Sequence, residues 1–133
     1  MKAERLRKVP LFEGLTDHQY ERLERWTDEI DVPTNKHLVN QGAYPHEFMV
    51  IESGTAEVTH DGTHLADLGP GDFFGEMALL LNVPRTATVA ATSDVTLVVM
   101  HDRNFRAMEE EIPAIAERVN AIMEERRAKS ADQ

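Results

Sequence analysis

The sequence predicts an α+β fold: an antiparallel, jelly-roll-like barrel or sandwich flanked by N-terminal helices and two C-terminal helices. Three observations carry this. Between residues 36 and 101 short β-rich runs follow one another closely, separated by Gly or Asp turns, which is the pattern of an antiparallel roll and not of βαβ units. Upstream of that block, Leu6, Val9, Phe12 and Leu15 recur at intervals of three. Downstream, Ile115, Val119 and Ile122 form one apolar stripe, with Glu117, Arg118, Glu124, Glu125, Arg126 and Arg127 mostly on other faces.

Taken in order, residues 1–30 read as N-terminal helices. Thr16 or Asp17 is suited to cap a second helix carrying Tyr20, Leu23 and Trp26 into the core. The strand runs are Leu38-Val39, Glu47 to Ile51, Thr55 to Thr59, His64 to Leu68, Thr86 to Ala91 and Val95 to Met100. Asp61-Gly62, between two of them, is the strongest hairpin signal in the chain. Asp102 is placed to cap a helix ending near Glu110, and Pro113 fits the first turn of the last helix, so residues 102–128 read as two helices. With 133 residues and 41% hydrophobic content the chain accommodates one core, and residues 1–133 read as a single domain.

Composition removes several function classes. A net charge of −10 argues against nucleic-acid binding by this chain alone, because duplex affinity draws on clustered Lys and Arg. No apolar run approaches the roughly 20 residues needed to span a bilayer, and the basic N-terminus lacks a signal-peptide core, so a cytoplasmic location is expected. Without cysteine there is neither disulfide nor thiol catalysis. Ser53, Ser93 and Ser130 lie outside any nucleophile-elbow motif, and no catalytic set emerges. Nor does a metal site emerge. The Asp61-Gly62 turn pairs His60 with Thr63 and Thr59 with His64, which sends the two imidazoles to opposite faces, and the His-x-His pair of a metal-dependent cupin is missing.

The informative stretch runs from Gly69 to Ala91. Glu76 and Arg85 are opposite charges in a run otherwise apolar, small or turn-forming, and burying either alone is costly, so each calls for a partner or a ligand. Gly75 is followed by Glu-Met-Ala-Leu-Leu-Leu, good helix formers, whose first amides are suited to an anion that Gly75 lets approach. Arg85 can offer a two-pronged guanidinium to phosphate oxygens. Glu76 only accepts, which suits a ligand hydroxyl. Alternation puts Thr86 and Thr88 on one face, and Thr86 adjoins Arg85.

Phe74-Gly75-Glu76-Met77-Ala78-Leu79-Leu80, followed by Pro84-Arg85-Thr86-Ala87-Thr88-Val89, resembles the phosphate-binding cassette of the cyclic-nucleotide-binding domain family. That family includes bacterial cAMP-responsive transcription factors, regulatory subunits of cAMP-dependent protein kinase and cyclic-nucleotide-gated channels. The resemblance extends to Val9-Pro10-Leu11-Phe12-Glu13-Gly14-Leu15 and to turn glycines 42, 54, 62, 69 and 71, so it covers almost the whole chain.

The resemblance implies a β-roll with its cassette at 74–89 and a non-catalytic sensor whose ligand is cAMP, with cGMP also compatible. Phe74, Gly75, Glu76, Met77, Ala78, Arg85, Thr86 and Ala87 would form the site, Arg85 neutralising the phosphate and Glu76 accepting from the ribose 2′-hydroxyl. The last helix would close over the base as a lid. It contains no Phe, Tyr or Trp, which leaves Ile122, Met123 or Arg126 as the cover, while packing on the roll is the competing role of Ile122 and Met123. A chain ending before Pro113 is then expected to stay folded. No output domain is recognisable, so the signal is expected to pass to a protein partner or through a homodimer. The competing reading is an interaction module of the same fold that does not use nucleotide.

Overall fold

The computed structural model describes residues 3–42, 47–74 and 87–131, with backbone alone after Glu125. Helix α1 (Ala3–Leu6), a 3-10 turn (Pro10–Phe12) and α2 (Asp17–Trp26) precede eight strands. These are β1 (Asp28–Val32), β2 (His37–Val39), β3 (Glu47–Ser53), β4 (Ala56–His60), β5 (Thr63–Leu68), β6 (Phe73–Phe74), β7 (Thr88–Ala91) and β8 (Val95–His101). Helices α3 (Asp102–Glu111) and α4 (Pro113–Ala131) follow. The strands form two antiparallel four-stranded sheets, ordered β1-β8-β3-β6 and β2-β7-β4-β5. The roll is thus an open pair of sheets and not a closed barrel.

Both faces of the first sheet are covered. Along β3, Phe48 and Val50 point to a core shared with the helices, while Met49 and Ile51 point to a second core between the sheets. Along β8, Val98 and Met100 take the first side and Leu97 and Val99 the second. A strand buried on both sides must be apolar at nearly every position, which is why both segments read as continuous hydrophobic runs. Phe48 is 1% exposed, and its ring centroid lies 5.5 Å from Phe73 and 4.7 Å from Phe105, joining β3, β6 and α3.

Local chemistry explains most element boundaries. Thr16 caps α2, with its hydroxyl accepting from the Gln19 amide while the Gln19 side chain accepts from the Thr16 amide, a reciprocal capping box. The three-residue spacing of Leu6, Val9 and Phe12 belongs to a broken segment. α1 stops at Leu6, and Pro10 begins a 3-10 turn, whose period of three puts Val9 and Phe12 on one side. Asp102 is the first residue of α3 and not its cap. The cap position belongs to His101, which makes no side-chain capping bond, and the Asp102 carboxylate accepts from the Arg103 amide instead. Gly54 turns β3 into β4 at φ +91°, and a Cβ there would collide with the Asp94 carbonyl oxygen.

Strand β1 lies beyond the sequence reading. β1 straddles the expected end of the helical region at residue 30, and four of its five residues are exposed, so it carries no alternating pattern. It is ordered by pairing along β8, from Asp28 opposite Val99 to Val32 opposite Val95. The last helix is also a core element. Ile115 and Val119 are fully buried and Met123 nearly so, packed with Phe12, Leu23 and Phe105. Arg118 donates to the Leu11 carbonyl at 2.8 Å. Removing the chain from Pro113 onward would uncover that core, so the expectation of a folded truncated chain does not hold.

Ion pairs tie the helices to each other and to the roll. Arg5 of α1 bridges Glu29 on β1 and Glu52 on β3. Arg22 of α2 grips Glu111 at the end of α3 through two bonds of 3.0 and 2.8 Å, and its guanidinium lies 4.8 Å from the Trp26 ring centroid. Hydrogen bonding to Arg22 holds the Glu111 carboxyl below its usual pKa, while burial pushes Glu109 up.

Truncating Phe48 to alanine is expected to cost about 3–5 kcal/mol in urea unfolding, because one ring fills the junction of three elements. A loss below about 1 kcal/mol would remove Phe48 from that role. Since the folded-state pKa of Glu111 is depressed, the stability it contributes is present above its unfolded pKa and disappears as pH falls. Arg22→Gln should therefore destabilise the chain near pH 7 and lose that deficit near pH 3. A deficit of equal size at both values would show that the stacking on Trp26, and not the ion pair, is what Arg22 provides.

Candidate functional site

Of the sequence-derived site, Phe74 and Ala87 fall within the described residues, while Gly75, Glu76, Met77, Ala78, Arg85 and Thr86 lie outside them. The two described residues bracket the motif. Phe74 ends β6, sits opposite Met49 on β3, and is 6% exposed in the core between the sheets. Ala87 is half-buried immediately before β7, which lies in the other sheet between β2 and β4. The motif therefore enters from one sheet and leaves into the other.

Both ends of the motif are anchored. On the entry side, Gly71 donates to the Ile51 carbonyl, Ile51 donates to the Asp72 carbonyl, and the Asp72 side chain accepts from Gly69, each at 2.8 Å. Gly71 has φ +91°, and a Cβ there would lie 3.2 Å from the Pro10 ring, so this turn rests against the N-terminal 3-10 segment. On the exit side, the Thr88 hydroxyl accepts from the Gln41 amide at 2.9 Å. The Gln41 side chain in turn forms two bonds with Asp61, donating to its carboxylate and accepting from its amide. Gln41 and Asp61 thus join the end of β2, the β4–β5 turn and the exit strand. Nothing in the sequence marks Gln41, and Asp61 is legible only as a turn residue.

The residues expected to cover a base lie on the last helix. Met123 is 7% exposed and Ile122 is half-buried, both packed with the helical core on the far face of the first sheet from Phe74. The side chain of Arg126 lies outside the described residues.

Comparison with known proteins agrees with this architecture. The family model described as "Cyclic nucleotide-binding domain" matches residues 29–111, more than half of the chain. The chain is 33% identical over 120 residues to a cyclic nucleotide-gated potassium channel of Rhizobium etli, covering 90% of this chain and 33% of the channel. It is 37% identical over 122 residues to a cAMP-dependent protein kinase regulatory subunit of Mycosarcoma maydis, covering 85% and 23%. Among solved structures, the catabolite activator protein of Thermus thermophilus superposes with a TM-score of 0.78 at 30% identity, over 92% of this chain and 60% of that one. The regulatory subunit of a cAMP-independent protein kinase A from Trypanosoma brucei superposes at 0.81 with 19% identity, over 91% and 44%, a likeness of fold.

An open two-sheet roll with helices at both ends carries this motif between β6 of one sheet and β7 of the other. The chain belongs to the cyclic nucleotide-binding domain family. It spans a third of the length of that channel and under a quarter of that kinase regulatory subunit.

Loss of the Gln41–Asp61 bridge should loosen the exit side of the motif. Gln41→Ala is expected to leave the global unfolding midpoint nearly unchanged, while amide exchange becomes faster at Asp61, which loses its acceptor, and at position 41, whose amide donates to the Thr88 hydroxyl. Unchanged exchange at both amides would mean that the bridge does not hold this end of the roll.

Proposed function

We propose that the chain is a non-catalytic sensor that binds cAMP in the segment between β6 and β7 and passes the signal through its last helix to another protein. The single observation that carries the reading is the ordered set Phe74, Gly75, Glu76, Met77 and Ala78, then Arg85, Thr86 and Ala87, lying within the family match. In this reading Arg85 neutralises the cyclic phosphate, which also takes hydrogen bonds from amides near Gly75, and Glu76 accepts from the ribose 2′-hydroxyl. Thr86 adds a hydroxyl beside the phosphate, and Ala78 and Ala87 leave room for the ligand. Support for cAMP comes from the kinase regulatory subunits among the relatives. A cGMP-dependent protein kinase of Toxoplasma gondii, 33% identical over 88 residues, keeps cGMP as the competing ligand.

The fold alone does not fix the ligand, since one neighbour by fold is the regulatory subunit of a cAMP-independent protein kinase A. What favours binding over a ligand-free interaction module is the pair Glu76 and Arg85, two charges whose placement in an apolar run has a use once a sugar phosphate lies between them. If Ile122, Met123 or Arg126 covers the base, α4 must leave the helical core, breaking the Arg118 bond to the Leu11 carbonyl as it moves. Ligand and core would then compete for one helix, which makes the closure a shift between two packed states.

Arg85→Ala should remain folded and lose roughly tenfold to several-hundredfold in cAMP affinity by calorimetric titration. Undiminished affinity in the folded variant would end the phosphate assignment. Glu76→Gln should narrow the preference for cAMP over its 2′-deoxy analogue. Equal discrimination by variant and parent would take Glu76 away from the ribose. Titration of the parent chain with cAMP and cGMP side by side decides the base, and failure of both to bind would leave the interaction module as the reading.

A further inference from the structure

A second ligand set lies on the β4–β5 hairpin. The strands pair regularly from Ala56 opposite Leu68 to Val58 opposite Ala66, and then the register slips so that Thr59 faces His64. Leu65 is the extra residue of a β-bulge, turned outward and 57% exposed. In an uninterrupted strand His64 and Asp67, three residues apart, would project from opposite faces. The bulge resets that alternation and brings His64 to the face where Glu57 and Asp67 stand directly across from each other. The His64 ring nitrogens lie 3.6 Å from a Glu57 oxygen and 3.7 Å from an Asp67 oxygen, and one donor atom from each of the three residues falls within a 4.8 Å span.

We propose that Glu57, His64 and Asp67 form a binding site for a first-row divalent cation, Zn²⁺ being the type, separate from the nucleotide motif. Like charges directly opposite each other on neighbouring strands repel, and the Glu57–Asp67 pair bears that cost in a chain whose net charge is already −10. A cation between them turns the repulsion into coordination. One imidazole nitrogen with two carboxylate oxygens suits Zn²⁺ and its neighbours in the first row better than Ca²⁺ or Mg²⁺, which favour oxygen alone. Donors about 2.0–2.2 Å from a tetrahedral ion stand about 3.3–3.6 Å apart, so rotation of the exposed Asp67 side chain closes the set. Water or a donor from another molecule completes the coordination. His60 pairs with Thr63 and faces the other way, so it belongs to a different surface. The bound ion would clip β5, the outer strand of its sheet, to β4.

The test is titration of the tag-free chain with Zn²⁺ by calorimetry and with Co²⁺ by visible absorption. Saturable binding of one ion per chain is expected, weakened more than about tenfold in His64→Gln and in Glu57→Gln and retained in His60→Gln. No saturable binding, undiminished affinity in His64→Gln, or equal loss in His60→Gln overturns the site. If His64→Gln does not fold, the imidazole resonances of the parent chain decide. A Zn²⁺-dependent shift of the His64 ring supports the site, and shifts confined to other histidines overturn it.

Discussion

Everything in this fold hangs on one sheet that is hydrophobic on both sides. β8 and β3 at its centre send alternate side chains to two different cores, Val98 and Met100 with Phe48 and Val50 to the helices, Leu97 and Val99 with Met49 and Ile51 to the second sheet. Neither core forms without that sheet. The helices cannot bury Leu6, Phe12, Leu23, Phe105, Ile115 and Val119 against water, and the second sheet offers only Ala56, Val89 and Ala91 as fully buried side chains of its own. The short strand β6 belongs to the same system, because Phe73 reaches one core and Phe74 the other. The motif that follows Phe74 thus starts from a rigid point.

Charge is used sparingly and at joints. In an acidic chain, three arginines connect elements distant in sequence: Arg5 links α1 to β1 and β3, Arg22 links α2 to α3, and Arg118 holds α4 to the 3-10 turn. These contacts are partly exposed and individually modest, so they orient packed elements more than they stabilise them. The contact made by Arg118 has a further consequence. It joins the last helix to Leu11, one residue from Pro10, whose ring meets the Gly71 turn that leads into β6. Last helix, N-terminal segment and motif entrance therefore form one chain of direct contacts.

Reading the site from the sequence depended on chemistry that is visible in one dimension. Glu76 and Arg85 stand out because unpartnered charges in an apolar run are costly, whatever the fold around them, and the structure adds the anchored ends at Phe74 and Ala87. The cluster of Glu57, His64 and Asp67 was illegible by the same method. Its members have no metal-ligand spacing, and counting along β5 puts His64 and Asp67 on opposite faces; only the bulge at Leu65 unites them.

By itself the sequence determined what depends on neighbours along the chain. The Asp61-Gly62 turn and its His60–Thr63 pairing, a cap for α2 at Thr16 or Asp17, the start of α4 at Pro113 and the apolar strands β3 and β8 all follow from local backbone preference and hydrophobic periodicity. Tertiary structure decided the rest. β1, acidic and mostly exposed, is a strand because β8 supplies its hydrogen bonds, and β6 is too short for any pattern to announce. The sequence marks Ile122 and Met123 as apolar, and the structure packs both with the helical core. An amphipathic stripe records that a face will be buried but not against what, since the hydrophobic effect has no direction and the partner is chosen only when the whole chain has closed.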